Sequence, residues 1–254
     1  MGQIRFSDAN CTVGPIGRVR PELDTSAEAV LADLARHGVH EALCAHSIGH
    51  EYDAMVGNDV LMSMDLASAP VRVDRCFCLV PHHAGEAPAG EELSAYLRHG
   101  RAAAVRLYPA DHGYDMTEVS VGRMLAVLEE LGLPVLVDLA QCGWGTWDGL
   151  LASHTRLWAI ATRIGYREDR RSYTVLERHE RLLLETSYLV GHRAIEHFVA
   201  RFGAQRLVFG TGAPHFAPGG AISPVAYAEI DDGARAAIAG GNLRRLLRGA
   251  EAVA

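Results

Sequence analysis

Residues Thr117 to Leu139, TEVSVGRMLAVLEELGLPVLVDL, contain the unit from which the rest of the chain is built. Apolar residues recur at helical spacing from Thr117 to Leu131, a glutamate stands in the first turn, and Gly132 supplies the stop. Leu133 to Leu139 then runs apolar at strand length. A helix that hands over to a buried strand after one glycine is the second half of a βαβ crossover.

The same alternation extends in both directions. Upstream, Ile4 to Asn10, Val39 to Ala45, Arg72 to Val80 and Ala102 to Tyr108 read as strands. Helices are expected between them, from about Ser26 to His37, Asp53 to Ala67 and Glu91 to Arg98. Thr25 or Ser26 caps the first helix, with Glu28 in its first turn, and Gly38 ends it. Downstream come a helix at Trp144 to Ser153, a strand at Leu157 to Thr162, a helix at Arg171 to His179 and a strand at Leu182 to Thr186. A helix at His192 to Phe202, a strand at Gln205 to Thr211 and a helical region from Ser223 to Arg248 complete the series.

Eight strands alternating with helices imply parallel pairing through right-handed crossovers. The predicted fold class is α/β, a single (β/α)₈ TIM barrel occupying residues 1–254 as one domain, which suits a chain of 254 residues. A doubly wound open sheet would carry a glycine-rich phosphate loop after an early strand, and none occurs. Pro81 to Gly90 and Pro109 to Tyr114 read as loops; no repeat or linker interrupts the pattern.

Composition narrows the chemistry. A net charge of -7 provides no basic field for nucleic acid or anionic lipid. No apolar run reaches the ~18 residues of a membrane span. Met1 to Ser7 enters a strand pattern without a signal sequence, so a cytoplasmic location is expected. The five cysteines, Cys11, Cys44, Cys76, Cys78 and Cys142, lack zinc-ribbon spacing and read as buried free thiols, Cys76 and Cys78 on one strand face. All 24 basic residues are arginine, as a high-GC genome would favour. Without lysine there is no Schiff base, no pyridoxal phosphate anchor and no lysine carbamate to bridge metals.

Two C-terminal segments carry a family resemblance: Gln205-Arg-Leu-Val-Phe-Gly-Thr-Gly-Ala-Pro-His215 and Ala239-Gly-Gly-Asn-Leu-Arg-Arg-Leu-Leu247. Together with Tyr52-Asp53, Gly57-Asn58-Asp59 and Gly132-Leu133-Pro134-Val135, in this order, the chain resembles the metal-dependent amidohydrolases of the barrel type, which include related decarboxylases. The resemblance implies a metal-dependent-hydrolase-like barrel over nearly the whole chain. It also implies a divalent ion held by a His-x-His pair on the first strand, histidines ending the fifth and sixth, and an aspartate on the eighth. Here those positions are Asn10 and Thr12, Asp138, Arg163 and Gly212. Catalytic zinc needs about three converging protein ligands, and an arginine among them repels an ion. The expectation is therefore no metal and no other cofactor.

Barrel chemistry occurs where strands end, which selects the remaining candidates. Asp138, His46, His50 and His215 are the expected proton-transfer groups; Asn10, Arg106, Tyr108, Arg163 and Glu185 are the expected substrate-binding groups. Asp138 and Arg163 on neighbouring strands form an ion pair in either a structural or a catalytic role. Arg106 and Tyr108 alternate on one strand; facing inward, Arg106 can take a substrate carboxylate bidentately, and facing the helices it is structural. Glu185 is either an interior or an interhelical carboxylate. The glycine between His46 and His50 argues for a loop there. His82 and His83 fall on an exposed loop, and Cys11 has parity opposite to Asn10.

These residues support general acid/base chemistry on a small carboxylated or carbonyl compound, as an amidohydrolase-like hydrolase or a decarboxylase or other lyase. A barrel that binds a small molecule without turnover is the first alternative. A metal hydrolase with a site relocated to His46, His50, Asp138 and His215 is the second. The partner is a small molecule. Self-association is common among such barrels, though nothing in the sequence marks an interface.

Overall fold

The computed structural model describes residues 4–17, 22–165 and 167–251. Met1 to Gln3, where the expectation of no signal begins, and Ala252 to Ala254, the end of the expected domain, lie outside the described residues. Parallel strands follow one another in chain order in one eight-stranded sheet: β1 (Phe6–Val13), β2 (Val39–His46), β3 (Arg72–Cys78), β4 (Ala102–Leu107), β5 (Val135–Asp138), β6 (Ala159–Thr162), β7 (Leu182–Glu185) and β8 (Leu207–Val208). The segment that continues β8 closes the barrel on β1: Ala9 N–H donates to Phe209 O (2.9 Å), Gly212 N–H to Asn10 O (3.0 Å) and Thr12 N–H to Ala213 O (2.9 Å). The fold is the expected TIM barrel.

Helices wrap this sheet: α1 (Ala27–Arg36), α2 (Ile48–Glu51), α3 (Ala54–Ser63), α4 (Gly90–His99), α5 (Glu118–Leu131), α6 (Trp144–Ser153), α7 (Asp169–Arg178), α8 (Ala194–Phe202), α9 (Pro218–Ala226), α10 (Asp232–Ala236) and α11 (Asn242–Glu251). In α5 the Thr117 hydroxyl accepts the Ser120 N–H, Gly132 turns left-handed at φ 65°, and Val121, Leu125 and Leu128 pack on the sheet. Alternate residues of each strand divide between two cores. Val105, Leu107, Val135 and Val137 join the helix layer, while Ala104, Leu136, Ile160 and Leu183 fill the barrel interior, closed below by Leu243 and Leu246 of α11.

β1 breaks this rhythm. Between Asp8, opposite Ala42, and Cys11, opposite Cys44, it carries one residue more than β2. A bulge of this kind lets consecutive residues face one side. Ala9 packs in the interior and Asn10 beside it lines a cavity; beyond them Cys11 and Val13 pack outward and Thr12 inward. All five cysteines are buried free thiols.

Several expected boundaries move. The loop predicted around Gly49 is helical, because two glycines allow α2 and α3 to touch: a Cβ on Gly57 would lie 2.1 Å from Gly49 N. β8 is short, with Ala204–Arg206 in a 3-10 turn, and the helix before it starts at Ala194, not at His192. The C-terminal helical region divides into α9, α10 and α11, with a widened turn at Ala237–Gly241. No helix among the described residues is long and apolar enough to cross a membrane.

Candidate active site

A cavity of about 380 Å³ opens at the C-terminal ends of the strands. Asn10, Thr12, Arg106, Tyr108, Asp138 and Arg163 form its floor and walls. His50, Glu51, Tyr188, His215 and Phe216 come in from the loops above. A larger one, of about 720 Å³, lies at the opposite end, between Leu66, Leu97, Leu133 and the exposed Arg98 and Arg101. Barrel enzymes work at the C-terminal face, and here the polar side chains converge at the smaller cavity.

Arg106 rises from the inward face of β4 and is 6% exposed. Its Nη2 donates to Asn10 Oδ1 at 2.6 Å, its guanidinium carbon lies 5.9 Å from the Tyr108 ring centre, and its Nε has no hydrogen-bond partner. It makes no ion pair among the described residues. A buried cation whose hydrogen-bond partner is a neutral amide, with one donor idle, is poised to take an anion.

Asn10 also donates, through Nδ2, to Glu185 Oε2 at 2.9 Å. Glu185 is an interior carboxylate of β7, not an interhelical one, and it is fully buried. Its other partners are the Ser187 N–H and, at 2.7 Å, the Ser187 hydroxyl. It fits because the segment after β8 presents Gly210, where a Cβ would stand 2.2 Å from Glu185 Oε1. Burial pushes its pKa up to about 7, against the hydrogen bonds from Ser187 and Asn10; the charge of Asp8 pushes the same way as burial. Glu185, expected among the substrate-binding groups, does not line the cavity itself; it touches Asn10, which does.

Asp138 and Arg163 do meet. Arg163 Nη1 stands 3.1 Å from Asp138 Oδ2, and Asp138 Oδ1 accepts the Ala140 N–H at 2.9 Å. Arg163 adopts the left-handed region at φ 55°, and its guanidinium lies 5.3 Å from the Tyr188 ring centre. Tyr188 meets Phe216 edge to face at 4.8 Å, giving the rim an aromatic side.

His50 lies across the mouth. Its ring stacks on Tyr108 at 3.8 Å, and its Nε2 donates to Asp111 Oδ2 at 2.6 Å. Asp111 also accepts from Gln141 Nε2 at 2.6 Å, and these bonds, led by that from His50, hold its pKa below the usual range. A carboxylate on one imidazole nitrogen fixes the ring and leaves Nδ1, 3.9 Å from Glu51 Oε1, on the other side. Asp111 was not singled out in the sequence. Its position in the loop after β4 was the available signal, without a motif to single it out.

His46 is not brought to the cavity. It closes β2, where its Nδ1 accepts the Ile48 N–H at 3.3 Å and its ring fills the space beside Gly14. Burial lowers its pKa, consistent with a neutral, accepting ring. His215 lines the cavity with its N–H bonded to Gly212 O at 3.0 Å. Among the described residues no group of three or more His, Cys, Asp or Glu is placed to hold a metal ion, and His46, His50, Asp138 and His215 are not gathered into one.

The amidohydrolase family model matches residues 17–249 of the chain. In structure the chain is similar to an uncharacterised TIM-barrel protein from Bordetella bronchiseptica (17% identity, TM-score 0.78, 97% of this chain and 99% of that one). It is also similar to 5-carboxyvanillate decarboxylase from Sphingomonas paucimobilis (13%, TM-score 0.71, 97% and 99%). A third similar structure is dihydroxybenzoic acid decarboxylase from Polaromonas sp. JS666, which has bound manganese and the inhibitor 2-nitroresorcinol (14%, TM-score 0.73, 97% of each chain). Identities this low speak to the fold alone. No curated protein matches the sequence. The extent of the family match nevertheless settles the ancestry: the chain belongs to the amidohydrolase family.

Proposed function

We propose that the chain is a metal-independent acid/base enzyme of the decarboxylase or lyase type, acting on a small aromatic carboxylate. The observation that carries this reading is Arg106, a buried guanidinium with an idle Nε and no ion-pair partner among the described residues. Such a group favours a ligand that brings its own negative charge. Tyr108, Tyr188 and Phe216 offer faces and edges to a flat ring, and the similar decarboxylase structure contains an aromatic inhibitor.

The residues at the family's metal positions do not fit a divalent ion. Asn10 and Thr12 are neutral, Gly212 has no side chain, and Asp138, the one carboxylate, already holds Arg163. A guanidinium 3.1 Å from the sole anionic ligand opposes a dication in the same shell.

Arg106 and Arg163 hold the negative charge of the substrate, and His50, oriented by Asp111, transfers the proton. As a general acid His50 protonates the ring carbon bearing the carboxylate, forming a C–H bond. The C–C bond then breaks, its electron pair returns to the ring, and carbon dioxide leaves. His50 regains its proton from solvent.

Elemental analysis of dialysed protein, combined with carbon dioxide release from hydroxybenzoates, tests this reading. Expected are substoichiometric transition metal, turnover that survives chelation, and loss of benzoate binding in Arg106→Gln. Zinc or manganese retained at one per chain, or activity lost to chelator and restored by metal, refutes it. Benzoate binding without turnover of any aromatic acid refutes the catalytic part and leaves a binding protein.

A further inference from the structure

Two acids and one cation are enclosed beneath the cavity, and a single amide joins them. Asn10 Oδ1 accepts from Arg106 at 2.6 Å, Asn10 Nδ2 donates to Glu185 at 2.9 Å, and the Asn10 backbone N–H donates to Asp8 Oδ1 at 2.8 Å. Asp8 accepts in addition from the Thr211 N–H (2.9 Å) and hydroxyl (2.5 Å). The charged and titratable groups facing this set are Asp8 from β1, Cys76 and Cys78 from β3, and Arg106 and Tyr108 from β4. Neither of these two acids is exposed, so their protons are held inside the barrel wall, beneath the charged groups Glu51, Asp138 and Arg163 that line the cavity itself.

We propose that Glu185 sets how tightly the cavity holds an anion: through the Asn10 amide it shares Arg106 with the ligand, so a carboxylate is taken up together with a proton on Glu185. This rests on the reading of Arg106 as the anion-binding group.

The electrostatics are those of competition. When Glu185 is ionised, an incoming carboxylate is repelled by it and competes with it for the same cation. When Glu185 is neutral, Oε2 can remain a carbonyl oxygen that accepts from both Asn10 and the Ser187 hydroxyl, so those hydrogen bonds persist while the repulsion goes. Space for a neutral carboxyl exists because of Gly210, where a side chain would otherwise compete for the same volume. Glu185, whose pKa burial pushes up to about 7, can exchange its proton around neutral pH. Two like charges ~10 Å apart at an effective dielectric of ~20 change each other's binding by roughly tenfold. By linkage the bound anion raises the proton affinity of Glu185 by the same factor.

The test is calorimetric titration with benzoate at pH 6 and pH 8, and at pH 7 in buffers of different ionisation enthalpy. Wild type should bind roughly fivefold more weakly at pH 8 than at pH 6 and take up a fraction of a proton at pH 7. Glu185→Gln, permanently neutral, should lose most of both effects and bind at pH 8 about as tightly as wild type does at pH 6. His50 and His215 are the imidazoles that line the cavity, so His50→Gln and His215→Gln serve as second variants; both should retain the proton uptake. Uptake unchanged in Glu185→Gln, or abolished by either histidine variant, overturns the inference. No benzoate binding at any pH would instead overturn the underlying reading of Arg106.

Discussion

Glu185 makes the stability of this barrel depend on pH in a direction opposite to most carboxylates. Its pKa rises from the ordinary 4.5 to about 7 in the folded chain. Between those values the folded state binds the proton and the unfolded state does not, so stability falls as pH rises. The contribution is fully present below pH 4.5 and is lost as pH climbs through about 7. At about 1.4 kcal/mol per pH unit the full loss is about 3 kcal/mol, most of it between pH 5 and 8. The perturbation is Glu185→Gln, which cannot ionise; any lost hydrogen bond to Ser187 or Asn10 is a constant offset that cancels in the pH difference. Urea unfolding of both proteins at pH 5 and pH 8 measures it. Wild type should lose roughly 2–3 kcal/mol relative to the variant between the two pH values. Curves that shift in parallel, within about 0.5 kcal/mol, would refute the claim that the charge on Glu185 is held against burial.

Other perturbations test neighbouring features. Gly210→Ala forces a Cβ to within 2.2 Å of Glu185 Oε1 and should destabilise by roughly 1–3 kcal/mol in urea, a cost partly relieved in the Gly210→Ala/Glu185→Ala double variant. Asp111→Asn removes the carboxylate on His50 Nε2 and should lower kcat on an aromatic acid by roughly ten- to a hundredfold with KM little changed, seen in initial rates at neutral pH. Leu128→Ala on α5, at a fully buried position, should cost roughly 2–5 kcal/mol in thermal or urea unfolding with benzoate affinity unchanged.

Period-two patterning made most of the barrel legible before any coordinates. Arg106 and Tyr108 share a face because β4 is regular, and Asp138 meets Arg163 because β5 and β6 pair in register, Asp138 opposite Thr162. Parity also placed Cys11 away from the cavity, but the reason it holds beside Asn10 is a bulge that no residue type announces. His46 misled because it ends a strand, and the end of β2 turns its ring toward Gly14 instead of the mouth. Asp111 could not be singled out, since a loop carboxylate acquires meaning only from the imidazole that reaches it. The burial of Glu185 depends on a missing side chain at Gly210, two residues before Gly212, a relation between separate segments that a single strand does not display.

The extra residue in β1 acts as a phase shift for everything after it. With one residue fewer between Asp8 and Cys11, the remainder of the strand would turn half a pleat: Cys11 and Val13 would face the cavity and Thr12 the helices. The mouth would then be lined by a thiol and a valine where it now offers an amide and a hydroxyl, and Arg106 would lose the group that steadies it. Composition alone would not register the change. The wet side of this barrel owes its character to the length of one backbone segment.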